Sequence, residues 1–217
     1  MNIVRSMKKY RFYFIATFSI FAGSALLYFL VKLIIPEYNL IGAPIDNLIP
    51  FVPVFIYLYM IWYPFEILSL FFIFKYNKDT YLKTIITLAV SLLIAQIIFL
   101  IYPTTINRPI IESYNNLTEF IVYLTYKSDT PVNCFPSIHC IICFHLIYCT
   151  LSSSKLPKKY FYTIIIINIL IIISTLLVKQ HVLYDVIGSL LISSISYYLI
   201  SKSNFFIRIE KKLAKVC

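Results

Sequence analysis

Apolar residues gather along the chain in six runs: Phe12–Ile35, Ile49–Phe74, Thr84–Tyr102, Ile138–Leu151, Phe161–Val178 and Val182–Ile200. A helix rises 1.5 Å per residue, so about 20 apolar residues cross the hydrocarbon of a bilayer. The fourth run is short, and is expected either to continue into Ser152–Ser154 or to sit behind its neighbours. Pro53 and Pro64 fall within the second run and predict a kink there. The pattern predicts an all-α fold: a polytopic membrane helix bundle of six transmembrane helices, forming one membrane domain over residues 1–217. Within the long connection 103–137, residues Ile110–Tyr126 are partly amphipathic and predict a short helix lying in the interface.

Composition agrees with a lipid solvent. The chain is 60% hydrophobic and 13% charged, with a mean hydropathy of +0.85, whereas soluble domains carry about 25% charged residues. Residues 1–11 place four cations before an apolar run, like a signal peptide. The run is too long and lacks a small-residue cleavage site, so it reads as a retained first span. Five cysteines without paired spacing do not form a disulfide framework, and Cys140 and Cys143 read as small apolar membrane residues.

Charge sets the expected orientation. Four cations lie in residues 1–11, three in 75–83, three in 152–160 and five from Lys202 onward, together fifteen of the 19. Lys32, Arg108, Lys127 and Lys179 fall on the other side. By the positive-inside rule both termini are cytoplasmic, and the connections 103–137 and 179–181 face outward together. The net charge of +10 lies in short clusters between apolar runs, which suits anionic lipid headgroups and not nucleic acid.

Ionisable groups at the edge of a membrane are costly and mark function. His181 and Asp185 stand four apart, so on a helix they share a face, and the carboxylate can hold one imidazole nitrogen and leave the other nucleophilic. Spacing alone is met as well by an ion pair at the membrane edge. Lys179 lies two residues before His181, free to reach an anion. Pro136, Ser137 and His139 open the fourth run, where a helix N-terminus, a hydroxyl and a proton carrier favour phosphate, although a plain N-cap has the same sequence. Arg108 offers a planar fork for phosphate. His145 lies in mid-helix, where an interhelical hydrogen bond is the expected role. Asp46 precedes the second run on the outer side and is a candidate headgroup contact, while Glu66 lies nearer the cytoplasmic end and outside the chemistry. No cluster has metal-ligand spacing, and neither metal nor cofactor is expected.

Taken together these residues resemble the type 2 phosphatidic acid phosphatase (lipid phosphate phosphatase) superfamily, whose motifs run K-x6-R-P, P-S-G-H and S-R-x5-H-x3-D. The chain reads Ile101-x6-Arg108-Pro109, Pro136-Ser137-Ile138-His139 and Ser174-Thr175-x5-His181-x3-Asp185. Three positions depart from the pattern: Ile101 for Lys, Ile138 for Gly and Thr175 for Arg, so two phosphate-binding cations are missing and Lys179 is expected to replace one. The resemblance implies a metal-independent phosphatase acting on a lipid phosphate or diphosphate through a phosphohistidine. In it His181 is the nucleophile, Asp185 its orienting group and His139 the acid and base. Arg108, Ser137 and Lys179 would bind phosphate. The F-P-S-x-H and K-Q-H variants also resemble inositol phosphorylceramide synthase-like and sphingomyelin synthase-like transferases, which would pass the headgroup to an alcohol. The partners implied are the lipid substrate and the membrane.

Overall fold

A computed structural model describes residues 2–203, and their side chains from Arg11 onward. The side chains of Arg5, Lys8 and Lys9, the basic tail after Ser203 and Cys217 lie outside the described residues. Seven helices follow in order: α1 Asn2–Ile34, α2 Ile56–Tyr76, α3 Lys78–Ile101, α4 Leu117–Ser128, α5 Ile138–Leu151, α6 Lys158–Leu177 and α7 Leu183–Lys202. The fold is an all-α bundle. The strands are the two-residue segments β1 Asn39–Leu40 and β2 Thr104–Thr105, paired in parallel.

Among the described residues, five helices are long and apolar enough to cross a membrane: α2 with the turn before it, α3, α6, α7, and α1 from Arg11. Their outward faces carry large apolar side chains such as Phe14, Phe18, Ile67, Phe71, Leu191 and Leu199. Lipid is the solvent that suits such a surface, and the chain is an integral membrane protein. The short fourth run is α5, which ends at Leu151 with Ser152 as its C-cap. It stands at the centre of the bundle among α2, α3, α6 and α7. Cys140, Ile141, Cys143 and Cys149 are completely buried there, so α5 is covered by protein. Pro53 opens a short 3-10 turn, Pro53–Phe55, and α2 runs unbroken through Pro64.

With apolar residues on all sides, small polar residues mark which faces pack. Thr80, Thr84, Thr87 and Ser91 form a buried stripe along α3, and Ser189, Ser193 and Ser196 form another along α7. His145 of α5 bridges to the first stripe, with Nδ1 3.3 Å from the Thr87 hydroxyl and Nε2 2.8 Å from that of Ser91. Glu66 is buried in α2, and its Oε1 has no hydrogen-bond partner among the described residues.

Connections 35–55, 102–137 and 178–182 meet at one end of the bundle. Asn39 and Ile41 donate backbone N–H groups to Pro103 and Thr105, Val52 donates to Leu177, and Ser137 donates to Asp185. The interfacial helix begins later than the amphipathic pattern predicts. It starts after Asn116, whose side chain accepts the Glu119 N–H while the Glu119 carboxylate returns to Asn115 and Asn116. That reciprocal cap satisfies the orphan amides of the first turn and fixes the start.

Candidate active site

His181 is presented by the way α6 ends. Gln180 N–H bonds to Thr175 O and Lys179 N–H to Leu176 O, the paired 6→1 and 5→2 bonds of a Schellman cap. Its left-handed position is Lys179, with φ 53°, where glycine is the usual residue. The left-handed region costs an L-residue about 1–2 kcal/mol. The Lys179 ammonium stabilises the turn by donating to the carbonyls of Asp46 (2.8 Å) and Ile49 (2.5 Å). Lys179, expected on phosphate, thus spends two of its three N–H groups on the outer loop.

Asp185 is the third residue of α7. Its Oδ2 accepts both the Val182 N–H (3.1 Å), which caps the helix, and the His181 Nδ1–H (3.0 Å). The same carboxylate therefore fixes the start of the helix and the imidazole tautomer. The first amide of α7 is used within the protein: Asp46 Oδ1 accepts the Leu183 N–H (2.8 Å), while its Oδ2 accepts the Ala43 N–H of its own loop (2.7 Å). Both oxygens of Asp46, expected at the headgroup, hold backbone amides.

Ser137 caps α5, its hydroxyl accepting the Cys140 N–H at 3.3 Å, and the residue is fully buried. Two residues on, His139 Nδ1 lies 3.4 Å from His181 Nε2. The Ser189 hydroxyl reaches the carbonyls of both Ser137 and Asp185 and ties the two helix starts together. Gly188 is needed beside it, because the edge of the Phe135 ring stands where a Cβ would be. Gly188→Ala is expected to push Phe135 and the turn into α5 aside. That costs about 1–3 kcal/mol of stability and moves His139 off His181, to be read as a lower melting temperature in detergent together with slower turnover.

Arg108 stands behind the histidine pair. Its Nη1 donates to the Asp129 carbonyl at 2.6 Å, its guanidinium lies 5.0 Å from the Tyr126 ring centre, and its Nε is buried without a partner among the described residues. Burial pushes the Tyr126 phenol up to about 12, so it stays a donor, bonded to Val178 O at 2.7 Å. Burial, and secondarily the Asp185 carboxylate, push the Cys134 thiol up as well, which keeps that neighbouring sulfur protonated and inert.

Two cavities meet at His181 and Arg108. One, of about 580 Å³, lies under the outer loop and carries Asp46, Lys179 and Arg108, two cations against one carboxylate. The other, of about 400 Å³, has Phe21, Ala25, Trp62 and Leu92 on its apolar side, and His139, Asn133 and Gln180 on its polar side. His139 faces only the second cavity. Of the departures from the family motifs, Ile101 is 77% exposed, and Thr175 is buried with its hydroxyl on Ile172 O and its carbonyl accepting the His181 N–H at 3.1 Å. Ile138 lines the second cavity.

Sequence reading missed four polar groups around this pair. The carboxamides of Asn133 and Gln180 are buried without partners among the described residues. Tyr59 is 1% exposed, its hydroxyl 2.7 Å from Asp129 Oδ2 and 3.0 Å from His139 Nε2. Asn133, like Lys179, has a left-handed backbone, with φ 53°, and a strained residue in an apolar-rich loop is a signal that sequence alone does not carry.

Two histidines, a carboxylate behind one of them and an arginine lining the same two cavities thus come together at one end of an apolar helix bundle. The chain belongs to the PAP2 superfamily, whose family model matches residues 84–208, more than half of its length. Members of that superfamily generally hydrolyse phosphate esters, and membership supports a phosphatase-type or related lipid-phosphate enzyme. No curated protein and no solved structure matches the chain.

Proposed function

We propose that the protein hydrolyses a lipid phosphate or diphosphate through a phosphohistidine at His181. The observation that carries this reading is the alignment of Asp185 Oδ2, His181 Nδ1, His181 Nε2 and His139 Nδ1 at 3.0 and 3.4 Å, at the junction of two cavities that share Arg108. With Nδ1–H bonded to Asp185, Nε2 of His181 keeps its lone pair and attacks phosphorus. His139 faces the cavity with the apolar wall, so the lipid oxygen leaves there and takes the proton from His139. Water follows into the same place, gives its proton back to His139 and opens the P–N bond. The phosphoryl oxygens face the cationic cavity, where Arg108 and the third N–H of Lys179 offset their charge. Ser137 acts by capping α5 and so holding His139.

The positive-inside pattern supports an extracytoplasmic position for this end of the bundle. A panel of labelled lipid phosphates and diphosphates, offered to detergent-solubilised protein with and without an alcohol acceptor, tests the reading. Free phosphate is the expected product in both conditions. A new phospholipid formed only with the alcohol would make the enzyme a transferase, and no product in either condition would end the proposal.

A further inference from the structure

Each histidine of the pair has a carboxylate behind it. Asp185 touches His181 directly. On the far side, Asp129 reaches His139 through the phenol of Tyr59. We propose that Tyr59 and Asp129 are a positioning arm that locks His139 as the Nε2–H tautomer and so makes Nδ1 the atom that gives and takes the proton.

The assignment follows from counting protons. An ionised carboxylate can only accept, so the single Tyr59 proton goes to Asp129 Oδ2 at 2.7 Å. The phenol oxygen is then an acceptor toward His139 Nε2 at 3.0 Å, and Nε2 must carry hydrogen. Nδ1 is left facing His181 Nε2 at 3.4 Å, and that nitrogen is bare because His181 donates from Nδ1 to Asp185. Trp62, with its ring centre 4.1 Å from that of His139, holds the imidazole in place. Asp129 is itself placed by Arg108, which grips its carbonyl. The charged and titratable groups around His139 are Tyr59 from α2, Asp129 at the end of α4, Arg108 from the loop after α3 and His181 before α7.

The inference rests on the phosphohistidine reading, and its chemistry balances within it. As His181 Nε2 bonds to phosphorus, the P–O bond to the lipid breaks and the Nδ1 proton of His139 moves to the leaving oxygen. In the second step a water proton returns to Nδ1 as the water oxygen bonds to phosphorus and the P–N bond breaks. Nε2–H stays on Tyr59 throughout, and the Asp129 charge offsets the imidazolium before the first step and after the second. Seen this way, a tyrosine in the core of an apolar helix and an acid at the end of a surface helix belong to the same device.

The test has two arms. The chain has three histidines, so ¹⁵N-histidine NMR in micelles reads the His139 tautomer without any substrate. Nε2 is expected to be protonated in the wild type and in Asp129→Asn, whose amide still accepts from Tyr59, and to lose that preference in Tyr59→Phe. In turnover, both variants are expected to lose about tenfold to a hundredfold in kcat. The alkaline limb of the pH profile should fall by about one unit, in Asp129→Asn because the imidazolium loses its counter-charge and in Tyr59→Phe because Nε2–H loses its acceptor. The double variant should be no slower than Tyr59→Phe, since the two act as a unit. An Nδ1–H tautomer in the folded wild type, or an unchanged tautomer in Tyr59→Phe, overturns the inference. So does an unshifted alkaline limb in variants that melt like the wild type while turnover still depends on His181, an outcome that leaves the nucleophile standing. Loss of all His181-dependent turnover would instead sink the phosphohistidine reading, and the NMR arm alone would then decide the arm.

Discussion

His181→Ala is expected to lose at least about a thousandfold in phosphate release, with the fold retained. The size follows from the absence of a second nucleophile within reach. His139 Nδ1 is aimed at His181, and the thiol that lines the same cavity, Cys134, is buried and protonated. Retention of the fold follows from Asp185, whose Oδ2 still caps Val182 when the imidazole is gone, so the stability change should stay near 1 kcal/mol, the value of one hydrogen bond. Phosphate release by thin-layer chromatography, beside a detergent melting curve, checks both halves. A variant that unfolds would show that the imidazole is structural, and one that turns over normally would remove His181 from the chemistry.

Arg108→Ala should cost about a hundredfold to a thousandfold in kcat/KM, the range for losing one aligned charge donor. The motif departures make this residue weigh more. Ile101 and Thr175 stand where the family carries cations, and Lys179 already serves two carbonyls of the outer loop. Arg108 lies in both cavities and has a buried Nε free. Arg108→Lys should recover only a small part of the loss, since an ammonium cannot grip Asp129 O, lie on Tyr126 and face phosphate at once. Steady-state kinetics on the three proteins, with equal melting temperatures as control, decides it. A lysine variant as fast as the wild type would mean that charge alone matters there.

Much of the scaffold is legible in the chain because lipid enforces long apolar runs: five runs fall on long helices and end within two residues of them, while their starts differ more. The errors have physical causes. Hydropathy starts the third helix at Thr84, whereas α3 begins at Lys78 with Asn77 as its cap, because a polar first turn is still helical. The amphipathic pattern starts the helix of the outer loop at 110, although the Asn116 and Glu119 cap that starts α4 is visible in the sequence. Arg108, His139, Lys179, His181 and Asp185 were singled out because charge near a membrane is costly. Arg108, His139, Lys179 and His181 line the two adjoining cavities and Asp185 is buried behind His181, with different engagements: Lys179 and Asp46 chiefly hold the backbone of the outer loop. Tyr59 could not be found that way. It is one of 19 tyrosines, and nothing in an apolar helix distinguishes the one whose hydroxyl meets a histidine. Gln180 and Asn133 are silent for a similar reason, since neutral amides carry no charge to betray them.

The central claim is a covalent bond between His181 and phosphorus, and it can be trapped. An aryl phosphate with a labelled phosphoryl group needs no acid to leave, so His139→Asn should still form the intermediate and fail to release it for want of a base. Quenched in alkali and digested, that variant should carry acid-labile, alkali-stable label on the peptide containing His181, and His139→Asn/His181→Ala should carry none. Label on any other residue, or phosphate released from His139→Asn without a detectable adduct while His181→Ala is equally active, would contradict the account.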